Sequence, residues 1–207
     1  MLKIIHARQI TDRGILEGQT VTVDQGRFIS DPGENADCEI IDARGAYLCP
    51  GFIDIHTHGM MGYDFMDCSE EAMENIARAH LRQGATTIIP TSLAGSREAT
   101  MNFLEIFAKT DKHKDGRADM PCVHLEGPFL SSAKKGAQNS DFLHDPDVPM
   151  LKRLQADARG LVKLVTLAPE QPGSMEFIQA AAEEGIHVSI GHTVADYETA
   201  SAAFAAG

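Results

Sequence analysis

The sequence contains no run of about 18 apolar residues, so it offers no candidate membrane-spanning helix. Its opening stretch MLKIIHARQITDRG lacks the apolar core of a secretory signal, which makes the cytoplasm the expected location. Cysteine is sparse. Cys38, Cys49, Cys68 and Cys122 stand far apart with no CxxC pair, which argues against a disulfide framework or a cysteine zinc site and reads as four reduced bystanders. Basic residues are in deficit as well: 18 Lys plus Arg against 30 Asp plus Glu give a formal charge of −12, and no nucleic-acid backbone is an expected partner. Low-complexity tracts are also missing. What remains is ordinary globular composition, 43% hydrophobic and 23% charged over 207 residues, sufficient for one large domain or one domain plus a small companion.

Two textures divide the chain. Residues 1–48 form short apolar segments broken by turns, around Leu2 to Ala7, Thr20 to Asp24, Arg27 to Ile29 and Glu39 to Asp42, with Asp24-Gln25-Gly26-Arg27 as a hairpin tip. They read as a small β unit. Residues 49–207 alternate apolar runs with helical patterns, the signature of βα units around a parallel sheet. The expected strands are Phe52 to His58, Thr86 to Ser92, Cys122 to Pro128, Leu161 to Pro169 and Ile186 to Thr193. Ser69, Ser174 and Asp196 each open an expected helix, the three ending near Gly84, Gly185 and Gly207. Lys109 to Asp119 is a charge-dense connector, expected to be a solvated loop. Five units are either a complete open α/β sheet or the front part of a (β/α)8 barrel, which takes about 250 residues. Metal-type residues at successive strand ends favour the barrel, with the chain stopping where a sixth strand is due.

His56-Thr57-His58 closes the first parallel strand, and the strand period of two turns both imidazoles to one face. By itself HxH equally describes two solvent-facing histidines. His124-Leu125-Glu126-Gly127-Pro128 closes the third strand and delivers a carboxylate to the rim, where an unpaired buried charge would be costly and a cation would be its partner. Gly191-His192-Thr193 ends the fifth strand in the same way. Three strand ends with such residues converge on the face where barrel enzymes build their active sites. A divalent cation there polarises a carbonyl and brings the pKa of a water toward about 7, so hydrolysis is the natural reaction class. The visible residues include no evident general acid. Asp54 shares the parity of His56 and His58 and reads as a supporting residue, not a catalytic one. His6, His80, His113, His144 and His187 carry no comparable context.

PGFIDIHTHG, HLEGPF, KKGAQ, TLAPE and GHT, in this order and at these separations, resemble the N-acetylglucosamine-6-phosphate deacetylase branch of the amidohydrolase superfamily. The resemblance implies an α/β fold, a (β/α)8 TIM barrel of which five units are present, with a small β-sandwich to which residues 1–48 contribute the first half. It implies removal of the acetyl group from N-acetylglucosamine 6-phosphate, giving glucosamine 6-phosphate and acetate, with a phosphorylated amino sugar as the small-molecule partner and a homodimer as the assembly.

By motif match, Glu126 and His192 are metal ligands, while His56 and His58 fall where some members carry a further metal pair. One or two divalent ions, zinc or iron foremost, are the implied cofactor. Ala137 and Gln138 occupy the sugar-contacting segment, where many members carry histidine at the second position; Lys134 and Lys135 flank it as solvated lysines. A further metal-binding histidine and the catalytic aspartate of the family belong to later strands, beyond Gly207, so activity is expected of a longer chain. The competing expectations are another amidohydrolase, a cyclic amidase or deaminase, and a non-catalytic metal-binding fragment.

Overall fold

A computed structural model describes residues 1–30 and 37–207. The described chain divides into two units, Met1–Gly51 and Phe52–Gly207. In the first unit the strands are β1 (Leu2–Ile5), β2 (Arg8–Thr11), β3 (Gly14–Leu16), β4 (Val21–Asp24), β5 (Arg27–Ile29), β6 (Glu39–Asp42) and β7 (Tyr47–Leu48). They form two sheets, β5-β4-β1-β6 and β3-β2-β7. Asp24 pairs with Arg27 across the expected hairpin turn. The β2–β3 hairpin and β7 were not foreseen from the alternation. A cavity of about 450 Å³ lies between the sheets, lined by Gln9, Ile10 and Leu48 from one and Val21, Thr22 and Phe28 from the other.

The second unit begins with β8 (Phe52–Thr57), a short hairpin of β9 (Gly59–Met60) and β10 (Tyr63–Asp64), and α1 (Glu70–Arg82). It continues as β11 (Ala85–Pro90), α2 (Arg97–Lys109), β12 (Val123–Glu126), α3 (Val148–Asp157), β13 (Val162–Leu167), α4 (Ser174–Glu183), β14 (His187–Ile190) and α5 (Tyr197–Ala206). The pairs β8/β11, β12/β13 and β13/β14 are parallel. A parallel bridge between Thr91 and His124, with the Ser92 amide donating to the His124 carbonyl at 3.0 Å, continues the sheet from β11 to β12. Spatial order therefore follows chain order, as in a barrel; a doubly wound sheet would reverse direction at a switch point.

The helices follow from caps and apolar stripes. Ser69 accepts a hydrogen bond from the Ala72 amide at 3.1 Å, and Met73, Ile76 and Ala77 on one face of α1 are fully buried. The β11–β12 and β12–β13 connections hold two helices that the sequence reading passed over. Ser96 caps α2, which buries Phe103, Leu104 and Phe107, while Asp147 caps α3, which buries Leu151 and Leu154. Ser174 is not the cap of α4 but its first residue. Gly173, at φ 82°, takes the cap position, a left-handed conformation that costs glycine nothing, and Ser174 Oγ instead donates to the Ala168 carbonyl at 3.1 Å.

The connector after α2 is also less solvated than its composition suggests. The Arg117 side chain is fully buried, with Nε donating to Glu74 Oε1 at 3.1 Å and Nη1 to the Ala118 carbonyl at 3.0 Å. Phe129 and Phe177, with ring centroids 4.6 Å apart, lie in the core between the sheet and its helices. All four cysteines are free thiols. Among the described residues no helix is long and apolar enough to cross a membrane.

Candidate metal centre

Regular strand structure ends where the chemistry begins. Glu126 is the last residue of β12; His56 and His58 straddle Thr57, the last residue of β8; His192 follows β14 by two residues. Thr57 ties β8 to the loop after β11 twice: its amide donates to Thr91 Oγ1 at 3.1 Å, and its carbonyl accepts from the Thr91 amide at 3.0 Å. Asp54 Oδ1 accepts from the His56 amide at 3.1 Å, so the carboxylate suspected of a supporting role holds the backbone of the first histidine. These anchors aim the His56 and His58 imidazoles at the Glu126 carboxylate, which His192 approaches from the end of β14.

Glu126 is buried, and its two oxygens are divided among the histidines. Oε1 lies 3.1 Å from His192 Nε2 and 3.4 Å from His56 Nε2, while Oε2 lies 3.1 Å from His58 Nε2. His56 and His58 approach each other Nε2 to Nε2 at 3.3 Å. Donor atoms of His56, His58 and Glu126 all fall within 4.8 Å of one another, a spacing that can hold a metal ion. His192 reaches the cluster through the shared Oε1. The His56 side chain is 45% exposed against 6% for Glu126, so the cluster opens toward solvent on the His56 side.

The other ring nitrogens decide which proton sits where. His58 Nδ1 lies 3.2 Å from the Thr91 carbonyl, and His192 Nδ1 lies 2.9 Å from the Lys134 carbonyl. A carbonyl oxygen only accepts, so each Nδ1 carries the hydrogen, and in the neutral ring each Nε2 presents a bare lone pair to Glu126. The carboxylate is itself acceptor-only. Two acceptors facing each other at 3.1 Å are stable only with a cation between them, either a proton or a metal.

The electrostatics agree. The hydrogen bond to Glu126 raises the His58 pKa above its ordinary value, outweighing the burial that lowers it. Burial pushes the Glu126 carboxyl up, but the His58 hydrogen bond and the charges of His56, His58 and His192 together bring it down to about 2. His124, buried beneath the cluster, is lowered to about 4 by burial first and by the His56 charge second. Its Nε2 lies 2.7 Å from Thr166 Oγ1, and its ring meets His56 edge-on with centroids 5.0 Å apart.

Of the residues expected from sequence, His56, His58, Glu126 and His192 are therefore together, and Gln138 joins them: its Nε2 donates to Glu126 Oε2 at 2.6 Å. Ala137 is exposed one residue earlier. Lys134 contributes through its backbone carbonyl, and Lys135 Nζ donates to the Gln138 carbonyl at 2.9 Å. Sequence reasoning missed Thr91, Thr166 and Ala94. Thr166 had a findable signal, since it sits opposite Glu126 on the neighbouring strand, but only once the register was known. Backbone groups such as the Lys134 carbonyl and the Ala94 amide leave no trace in a sequence.

A partial parallel barrel with nitrogen and carboxylate donors at its strand ends is the architecture of a metal-dependent hydrolase. Residues 47–207 match the amidohydrolase family, and the chain belongs to it. The chain is 36% identical over 198 residues to an N-acetylglucosamine-6-phosphate deacetylase of Bacillus subtilis (strain 168), covering 94% of this chain and 49% of that protein. Among solved structures, the N-acetylglucosamine-6-phosphate deacetylase of Pasteurella multocida superposes with a TM-score of 0.88 at 28% identity, over 100% of this chain and 54% of that one. A Mycobacterium smegmatis N-acetyl-D-glucosamine-6-phosphate deacetylase mutant, in complex with N-acetyl-D-glucosamine-6-phosphate, gives 0.86 at 25% identity over 100% and 53%. The chain thus spans about half the length of these relatives. The family and barrel expected from the motifs hold.

Proposed function

We propose that these residues form the metal-binding part of an N-acetylglucosamine-6-phosphate deacetylase centre. In this reading the polypeptide encoded by the gene hydrolyses the acetamide to glucosamine 6-phosphate and acetate. The observation that carries it is the Glu126 carboxylate, buried and met by His56, His58 and His192 within 3.1–3.4 Å. The named relatives and the motif order support the sugar phosphate as substrate.

Glu126 and His192, with His56 and His58 as a further pair, would hold a divalent cation, which would supply Lewis acidity toward the amide carbonyl and lower the pKa of a water. The donor set of imidazole nitrogen and carboxylate oxygen suits zinc or iron. The chain's own groups do the positioning. The Lys134 and Thr91 carbonyls fix the tautomers of His192 and His58, so that each Nε2 is free to ligate. Burial of Glu126 keeps competing water from its oxygens and strengthens its hold on any cation. Gln138, which touches Glu126, and the exposed Ala137 before it are the sugar-contacting residues in this reading. The same reading carries a cytoplasmic location, a homodimeric assembly and no nucleic-acid partner, which rest on the motif resemblance and the composition.

The test has two arms. Zinc or iron titrated into the metal-stripped protein should bind at one or two equivalents, read by elemental analysis, two equivalents favouring a binuclear centre. Acetate release from N-acetylglucosamine 6-phosphate should then follow metal loading in the polypeptide that the gene encodes. Turnover of dihydroorotate or hydantoin in place of the sugar phosphate would overturn the substrate assignment.

A further inference from the structure

Gln138 is 4% exposed and both ends of its side chain are engaged. Its orientation follows from donor and acceptor chemistry alone. The Ala94 backbone N–H only donates and therefore faces Oε1, at 2.7 Å; the Glu126 carboxylate only accepts and therefore faces Nε2, at 2.6 Å. A flipped amide would break both bonds. The carboxamide is thus a bridge from the loop after β11, through the segment after β12, to the carboxylate that ends β12.

The bridge is anchored at each end. Gln138's own backbone is held by its amide donating to the Lys135 carbonyl at 3.1 Å, and Lys135 Nζ donates to its carbonyl at 2.9 Å. Ala94 cannot drift, because it packs directly on Gly127. A Cβ built at Gly127 would come within 2.8 Å of Ala94 Cβ, a contact that glycine alone permits, at φ 89°. Glu126 needs such an anchor. The terminal torsion of a glutamate is broad, so the strand end fixes its Cα but not the plane of its carboxylate. The three imidazoles pull on that plane from two other strand ends.

We propose that Gln138 is a positioning residue for Glu126. By holding Oε2 it sets the carboxylate rotation that leaves Oε1 between His192 and His56, and so tunes the affinity of the centre for its metal. This role goes beyond contact with the sugar, and it rests on the reading of the cluster as a metal centre.

Gln138→Met tests it, because the thioether keeps the length and volume of the side chain while removing both hydrogen bonds. Zinc affinity of the purified protein, measured by competition with a chromogenic chelator, should fall about tenfold to a hundredfold, the range for groups that orient a metal ligand. Melting temperatures of the metal-free proteins serve as the structural control. Zinc affinity unchanged within threefold overturns the proposal, whether the variant shows only a lower melting temperature, as for a merely structural residue, or only a raised KM, as for a residue that touches only the sugar. If Gln138→Met does not fold, Gln138→Asn replaces it. Its amide is one methylene too short to reach both partners, so zinc affinity should again drop, and an unchanged value again overturns the proposal. Wild-type protein that binds no zinc or iron removes the metal centre and this inference together; wild-type binding with an unaffected variant removes the inference alone.

Discussion

Replacing Glu126 by glutamine separates charge from shape at the centre. At an effective dielectric of about 20, a unit positive charge at the 3.1 Å between His58 Nε2 and Glu126 Oε2 is worth about 5 kcal/mol. Part of that is offset by the cost of burying the carboxylate, and removing one partner of a buried pair typically costs about 3–5 kcal/mol. Applied to a bound divalent cation, even about 3 kcal/mol corresponds to roughly a hundredfold loss of affinity. The metal-free fold should tolerate the change. The new amide has the same outline; its oxygen can accept from Gln138 Nε2, and its NH2 can donate to the bare Nε2 of His192. Glu126→Gln should therefore weaken zinc binding by at least about a hundredfold in a chelator competition at pH 7. Because the histidines hold the Glu126 carboxyl down to about 2, their pairing with it also stabilises the metal-free fold at pH 7, so the metal-free melting temperature should fall while the unfolding transition stays cooperative. Zinc affinity and stoichiometry equal to the wild type would refute the assignment of Glu126 as a charged ligand. A collapse of the metal-free fold would refute the claim that the carboxylate is there for a cation.

Two further predictions concern the body of the fold. Phe129 is fully buried against Phe177 with centroids 4.6 Å apart, so Phe129→Ala should cost about 3–5 kcal/mol in urea unfolding. A loss under 1 kcal/mol would show that the two rings do not pack in the core. Burial pushes the Glu74 carboxyl up, but the Lys114 hydrogen bond and the Arg117 charge outweigh it, so its folded pKa lies below 4.5. A depressed carboxylate pKa stabilises the fold above the unfolded value, and that contribution is lost as pH falls through the folded value. The wild-type melting temperature should fall more steeply from pH 7 to pH 3 than that of Glu74→Gln, and parallel curves would contradict the pairing.

Much of the fold can be read along the chain because its signals are local. Apolar runs bounded by glycine and proline mark the five parallel strands, and Ser69 and Asp196 cap their helices as side chains of that type should. For α2 the signal was legible as well, in Ser96 and the spacing of Phe103, Leu104 and Phe107. The charge-dense connector misled for a different reason. Arg117 looks like any solvated cation in sequence, and only its encounter with Glu74, 43 residues away, allows it to be buried.

Residue type and strand parity by themselves nominated His56, His58, Glu126 and His192, because a period of two and a strand-end glycine are properties of the local chain. What tertiary structure alone decided is how these side chains share one carboxylate, which ring nitrogen carries each proton, and which group steadies Glu126. Those outcomes depend on the register between strands and on backbone carbonyls and amides, at Thr91, Lys134 and Ala94, that every residue possesses. A group common to all residues becomes specific only through its place in space.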